Sequence, residues 1–179
     1  MSRALQEFTN ESSPLSLGAG PGPTNRPRSR RTRKYSSEKR PSERAVIRSF
    51  QGKTPKIHPT AWVSETAYVI GDVEIGEYSS VWPGTVIRGD TIKITLGRYV
   101  DIQDNCVLHA DDDASYGDYV SLGHGVICHA KQIGSNCLIG NGATLNDGVV
   151  LGEYSLVASG AVVLENREFP EKSFILGVP

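Results

Sequence analysis

With 179 residues, a net charge of −1 and only 7% aromatic residues, the chain is long enough for one domain with a substantial core. Its 19 Gly and 10 Pro favour a turn-rich architecture of small residues. No run of about 18 apolar residues marks a transmembrane helix, no charged start followed by an apolar stretch marks a secretory signal, and no membrane contact is expected. Three cysteines with no CxxC pair read as reduced thiols of a cytoplasmic protein.

The charge is divided unevenly. Residues 1–44 carry ten Lys/Arg against four Glu, or +6, which leaves −7 for the remainder. This first segment has few periodic apolar residues, a Gly/Pro run from Gly18 to Pro23 and a basic cluster from Arg26 to Arg40. Such a composition cannot bury enough surface to offset its ordering entropy, so a disordered basic arm is expected there. A solvated tail or an organelle-targeting leader is preferred over a tether to nucleic acid or another anionic partner. Residues 45–179 form the expected folded domain.

From Ile57 a period of six takes over. Apolar residues stand at Ile57, Val63, Val69, Ile75, Val81 and Ile87, then at Leu96, Ile102 and Leu108 after a three-residue insertion. A two-residue insertion leads to Tyr116, Leu122 and Cys128. A one-residue deletion precedes Ile133, Ile139, Leu145, Leu151, Val157 and Val163. Glycine often follows the apolar residue, and a small or β-branched residue usually stands four after it. A helix repeats every 3.6 residues and an ordinary strand every two, whereas a sustained hexapeptide repeat reads as a parallel β-helix. Eighteen hexapeptides, three to a triangular coil, predict an all-β prism of about six coils that bury one another. Left-handedness is carried over from the hexapeptide class, an exception to the usual right-handed crossover.

The repeat also fixes where side chains stand. Three hexapeptides on, the chain returns to the same face one coil higher, about 4.7–4.9 Å away. Arg88, His109, His129 and Asn146 each follow a repeat start on one such face, so they form an outward column. On the neighbouring face His124 stands over Asp104, with Gln103 alongside. His109 and His129 are spaced to share a metal, while His124 requires a neighbouring subunit to reach the same ion. Three prisms about a threefold axis would bring the two columns together and set Arg88 against Asp104.

The hexapeptide repeat, Val86-Ile87-Arg88-Gly89-Asp90, Ile102-Gln103-Asp104, Leu108-His109 and Gly123-His124-Gly125-Val126-Ile127-Cys128-His129 resemble the gamma-class carbonic anhydrases and their transferase-hexapeptide, phenylacetate-operon and ferripyochelin-binding-like relatives. The likeness spans roughly residues 50–179. It implies a homotrimer with His109 and His129 as metal ligands from one subunit and His124 from the next. Gln103 would orient the attacking water, and Arg88, Asp90 and Asp104 would organise site and interface. Arg88 and Asn146 are further candidates for catalytic contacts, Asn146 by hydrogen-bonding a bound anion. Two departures stand out: Thr91 occupies a position that is acidic in the founding enzyme, and the long acidic loop is missing. Asp112, in Asp111-Asp112-Asp113, is the substitute chosen for proton relay. The family's prism also continues into a C-terminal helix beyond Leu176-Gly177-Val178-Pro179.

Three neutral imidazoles leave a coordination position open, as in catalytic rather than structural zinc sites. Zn²⁺, Fe²⁺ and Co²⁺ all suit imidazole. The expected reaction is reversible hydration of CO₂ to bicarbonate, with water activated by the metal. A weakly active or inactive trimer serving as a scaffold or assembly factor is one rival. A hexapeptide acyltransferase is the other, although such enzymes usually carry a protruding loop and lack the three-histidine cluster. His58 reads as structural. Cys106, Cys128 and Cys137 point inward and read as core. Arg88-Gly89-Asp90 is discounted as an adhesion motif because it lies inside the repeat.

Overall fold

A computed structural model describes residues 46–179; the basic arm expected over 1–44 lies outside the described residues. Every regular element within them is a β-strand, most only two residues long. The inward positions predicted from the repeat are all buried from Val63 to Val163, and Ile57, in the first coil, packs partly buried against them. The strands are short because each hexapeptide alternates two extended residues with a turn, and the turn directs the chain onto the next face. Neighbouring strands pair in parallel with strict coil-to-coil register: Ile87 lies beside Leu108, Leu108 beside Cys128, Cys128 beside Leu145 and Leu145 beside Val163.

Three faces result. One runs through Val86–Arg88, Val107–Leu108, Ile127–Cys128, Thr144–Leu145 and Val162–Val163. The second is a seven-stranded sheet through Trp62–Val63, Ser80–Val81, Asp101–Ile102, Ser121–Leu122, Leu138–Ile139, Leu156–Val157 and Phe174–Ile175. The third joins the first because the long strands Tyr68–Ile75 and Val86–Leu96 continue round a corner. The solenoid has about seven turns, one more than the sequence count. The difference lies at both ends. Val46–Arg48 pairs with Tyr68–Ile70, and Phe169 and Ile175 continue the period above Leu151 and Val157.

The irregularities in the repeat are absorbed at corners. Gly71 pairs with Gly89, but the next registered pair is Val73 with Ile94, so the three-residue insertion bulges out around Asp90 and Thr91. Gly71 has φ +82°, and a Cβ there would run into the carbonyl of Gly89; only glycine lets the two coils approach there. The two-residue insertion is taken up by the exposed turn Asp111–Asp113, so the strands on either side stay aligned. At another corner Tyr78, Tyr99 and Tyr119 adopt left-handed backbone with φ of 54°, 56° and 58°. Their rings stack with centroids 5.1 and 4.9 Å apart, which helps offset the roughly 1–2 kcal/mol that a side chain costs in that conformation.

Cys106, Cys128 and Cys137 are free and buried, as the repeat requires. Burial pushes the Cys128 thiol up from 9.0 to about 11 and holds the buried Tyr116 hydroxyl well above its ordinary range. The Tyr116 hydroxyl donates to Cys128 Sγ at 3.5 Å. In the unfolded chain both groups ionise at lower pH than in the prism, so stability is complete below pH 9 and falls as pH rises toward 11. Urea unfolding at pH 8, 10 and 11 measures that decline, and Cys128→Ala is expected to flatten part of it. Leu108→Ala is expected to cost about 2–5 kcal/mol by leaving a cavity between coils. Phe169→Ala, in the half-buried last coil, should cost less in the same assay.

Candidate metal centre

Leu108 and Cys128 turn inward in register, so the residues that follow them turn outward one above the other. His109 and His129 therefore meet, with ring centroids 5.4 Å apart and planes at 72°. Arg88 lies in the coil below and Asn146 in the coil above. The predicted column is present in full.

A carboxylate sits on each imidazole. Asp90 Oδ1 lies 3.0 Å from His109 Nε2, Asp147 Oδ1 lies 3.1 Å from His129 Nδ1, and Asp104 Oδ2 lies 3.0 Å from His124 Nδ1. Such contacts fix ring orientation and raise the basicity of the opposite nitrogen. His129 and His124 are thereby set to offer Nε2 to a ligand. His109 has its Nε2 on Asp90, so it offers Nδ1 in this arrangement. Asp90 reaches His109 because the bulge after Gly89 carries it there. It also accepts from Arg88 Nη1 at 2.7 Å and from the Thr91 N–H at 3.0 Å. Partial burial pushes its carboxyl up, but His109, Arg88 and Thr91 outweigh that and hold it below the usual carboxylate range.

The third imidazole stands apart. His124 projects from the neighbouring face over Asp104, as the repeat predicted, and 60% of its side chain is exposed against 12% for His109. Among the described residues no group of three His, Cys, Asp or Glu converges to hold an ion within one chain. The donor chemistry fits a metal nevertheless: neutral nitrogen donors, carboxylate support behind each, and one exposed imidazole aimed outward.

The remaining candidates have definite partners. Gln103 Nε2 donates to Asp101 at 3.2 Å. Asn146 Nδ2 donates to the Val163 carbonyl at 2.8 Å. Asp112 is exposed on the rim, 3.5 Å from Lys131 Nζ. Arg88 faces Asp90 of its own chain. His58 lies in the first coil against Thr60, away from the column. Two site residues escaped the sequence reading, Asp147 and Asp101. Asp147 was findable, since it stands eighteen residues after His129, one full coil of three hexapeptides.

Comparison with known proteins agrees with this geometry. The family described as bacterial transferase hexapeptide (six repeats) matches residues 54–89 and 131–165. Gamma carbonic anhydrase 1, mitochondrial, of Arabidopsis thaliana is 38% identical over 144 residues, covering 76% of this chain and 52% of that protein. A Methanocaldococcus jannaschii protein named "Probable carbonic anhydrase" is 45% identical over 119 residues, covering 65% of this chain and 75% of its own length. Among solved structures, a hexapeptide transferase family protein from Anaplasma phagocytophilum superposes with a TM-score of 0.73 at 36% identity, over 76% of this chain and 81% of that one. The chain belongs to the hexapeptide-repeat family, among its gamma carbonic anhydrase-like members. It spans about half the length of the Arabidopsis relative. Among the described residues no helix is long and apolar enough to cross a membrane.

Proposed function

We propose that the chain assembles as a homotrimer that binds a divalent metal, Zn²⁺ in the first instance and Fe²⁺ or Co²⁺ as alternatives, and hydrates CO₂ reversibly to bicarbonate in the cytoplasm. The observation that carries this reading is the pair of stacked imidazoles, each backed by a carboxylate, beside an exposed third imidazole on the adjoining face. His109 and His129 would hold the ion from one subunit and His124 from its neighbour. An ion so held supplies the Lewis acidity that makes water a nucleophile near neutral pH.

The protein's own residues do the rest. Asp147, Asp104 and Asp90 orient the imidazoles. Gln103 positions the attacking water, and Asp112, free to swing on its exposed turn, carries the proton to bulk solvent. Arg88 and Asp104 would meet across the interface, where a guanidinium and a carboxylate pair with two parallel hydrogen bonds. Asn146 closes the upper end of the column beside the product anion.

A second reading has its own support. Thr91 spends its N–H on Asp90 and carries no titratable group, which removes one proton-relay position and favours a metal-bearing scaffold with little turnover. The acyltransferase reading draws on the transferase-family name of the Anaplasma protein alone.

Stopped-flow CO₂ hydration on protein loaded anaerobically with Zn²⁺ or Fe²⁺ decides between these. Metal-dependent turnover in the parent and none in His124→Ala is the expected result; stoichiometric metal without turnover moves the assignment to the scaffold. Asp147→Asn keeps the shape beside His129 and removes the carboxylate charge, and is expected to weaken metal binding about 10–100-fold in a chelator competition assay.

A further inference from the structure

Four outward side chains on the second face form a square. Ser80 and Trp82 occupy one coil, and Asp101 and Gln103 lie directly above them, Ser80 beside Asp101 in register. Ser80 Oγ donates to Asp101 Oδ1 at 2.6 Å and Trp82 Nε1 donates to the same oxygen at 2.7 Å. The other oxygen, Oδ2, accepts from Gln103 Nε2 at 3.2 Å. A carboxylate only accepts hydrogen bonds, whereas a carboxamide has one accepting and one donating end. Gln103 must therefore turn its NH₂ to Asp101, leaving its carbonyl Oε1 as the outward end. Asp101 is itself pinned by two donors that converge on a single oxygen, so it cannot rotate away without breaking both.

We infer that Asp101, held by Ser80 and Trp82, is a positioning residue that fixes the polarity of the Gln103 amide, so that Gln103 meets the site as a hydrogen-bond acceptor. The inference rests on the carbonic anhydrase reading for its use: an acceptor holds the O–H of an attacking water and turns the oxygen lone pair toward CO₂. A donor in its place would compete for that lone pair.

The square makes a specific demand on one substitution. In Asp101→Asn, Ser80 and Trp82 still require an acceptor, so the new carboxamide keeps its oxygen toward them and presents its NH₂ to Gln103. Gln103 must then invert, accept with Oε1 and point its own NH₂ outward. The variant differs from the parent by one oxygen exchanged for NH₂ and fills the same space.

Side-chain amide exchange in the metal-free full chain reads this directly. There are four glutamines, Gln6, Gln51, Gln103 and Gln132, and Gln103→Glu identifies the pair that belongs to Gln103. In the parent one Gln103 Nε2 proton is expected to exchange about tenfold more slowly than those of Gln51. In Asp101→Asn the slow proton should leave Gln103 and reappear on Asn at 101, while backbone shifts elsewhere hold. Ser80→Ala removes a donor from Oδ1 only and should leave Gln103 protected. In the metal-loaded protein, kcat/KM for CO₂ should fall about tenfold in Asp101→Asn at unchanged metal content, the effect of one misdirected hydrogen bond. Fast exchange at Gln103 in the parent overturns the inference without need of any variant. So does a Gln103 pair that Asp101→Asn does not move, or an inverted Gln103 with undiminished turnover. A parent that shows the exchange pattern and no hydration activity removes the carbonic anhydrase reading and leaves the Asp101 clamp standing.

Discussion

The parallel hydrogen-bonded register between successive coils is the constraint on which everything else in this molecule rests. One pairing, Leu108 between Ile87 and Cys128, does two jobs. It seals the inside of the prism and, because alternate residues on a strand point to opposite sides, it stacks His109 and His129 on the outside. Core and site are one pattern seen from its two surfaces. A slip of a single residue would turn the imidazoles inward and the leucines out. The site is therefore as rigid as the hydrophobic stack beneath it, and needs no separate scaffold.

That coupling explains how much was legible in the sequence. A period of six with its two insertions and one deletion was enough to predict the buried positions from Val63 to Val163, the column Arg88–His109–His129–Asn146, and His124 over Asp104. What escaped lies where the period is a poorer guide. Phe169 and Ile175 obey the repeat but follow Pro- and charge-bearing turns (Glu165 to Glu171) that mask it. Asp90 was placed at the interface, whereas the bulge carries it onto His109; a bulge has no period from which to read its side-chain directions. Asp101 looked like a surface residue, because the donors that give it a role come from a different coil, twenty-one and nineteen residues earlier. The basic arm was legible only as composition.

The three imidazoles divide into a sheltered pair and an exposed one. The pair is ordered by its own chain through Asp90 and Asp147, at no further entropic cost on binding. His124 is held by Asp104 alone and looks outward. A site split in this way binds its third donor only when chains meet, so ligand binding and assembly are linked equilibria, each strengthening the other. The low exposure of His109 beside the high exposure of His124 is what this arrangement requires of a single chain.

The corners carry a different kind of information. The three-residue insertion before Ile94 and the two-residue insertion at Asp111–Asp113 change the length of a coil without moving a rung of the ladder on either side. Chain length in this fold is thus a local property of each corner, and a rim can be lengthened, shortened or recoloured while the imidazole columns stay where they are. The turn at Asp111–Asp113 directly follows the His109 strand. Descent with modification, or a designer grafting loops, could there rewrite what approaches the histidines by editing three exposed residues, and leave the histidines' own geometry to the stack below.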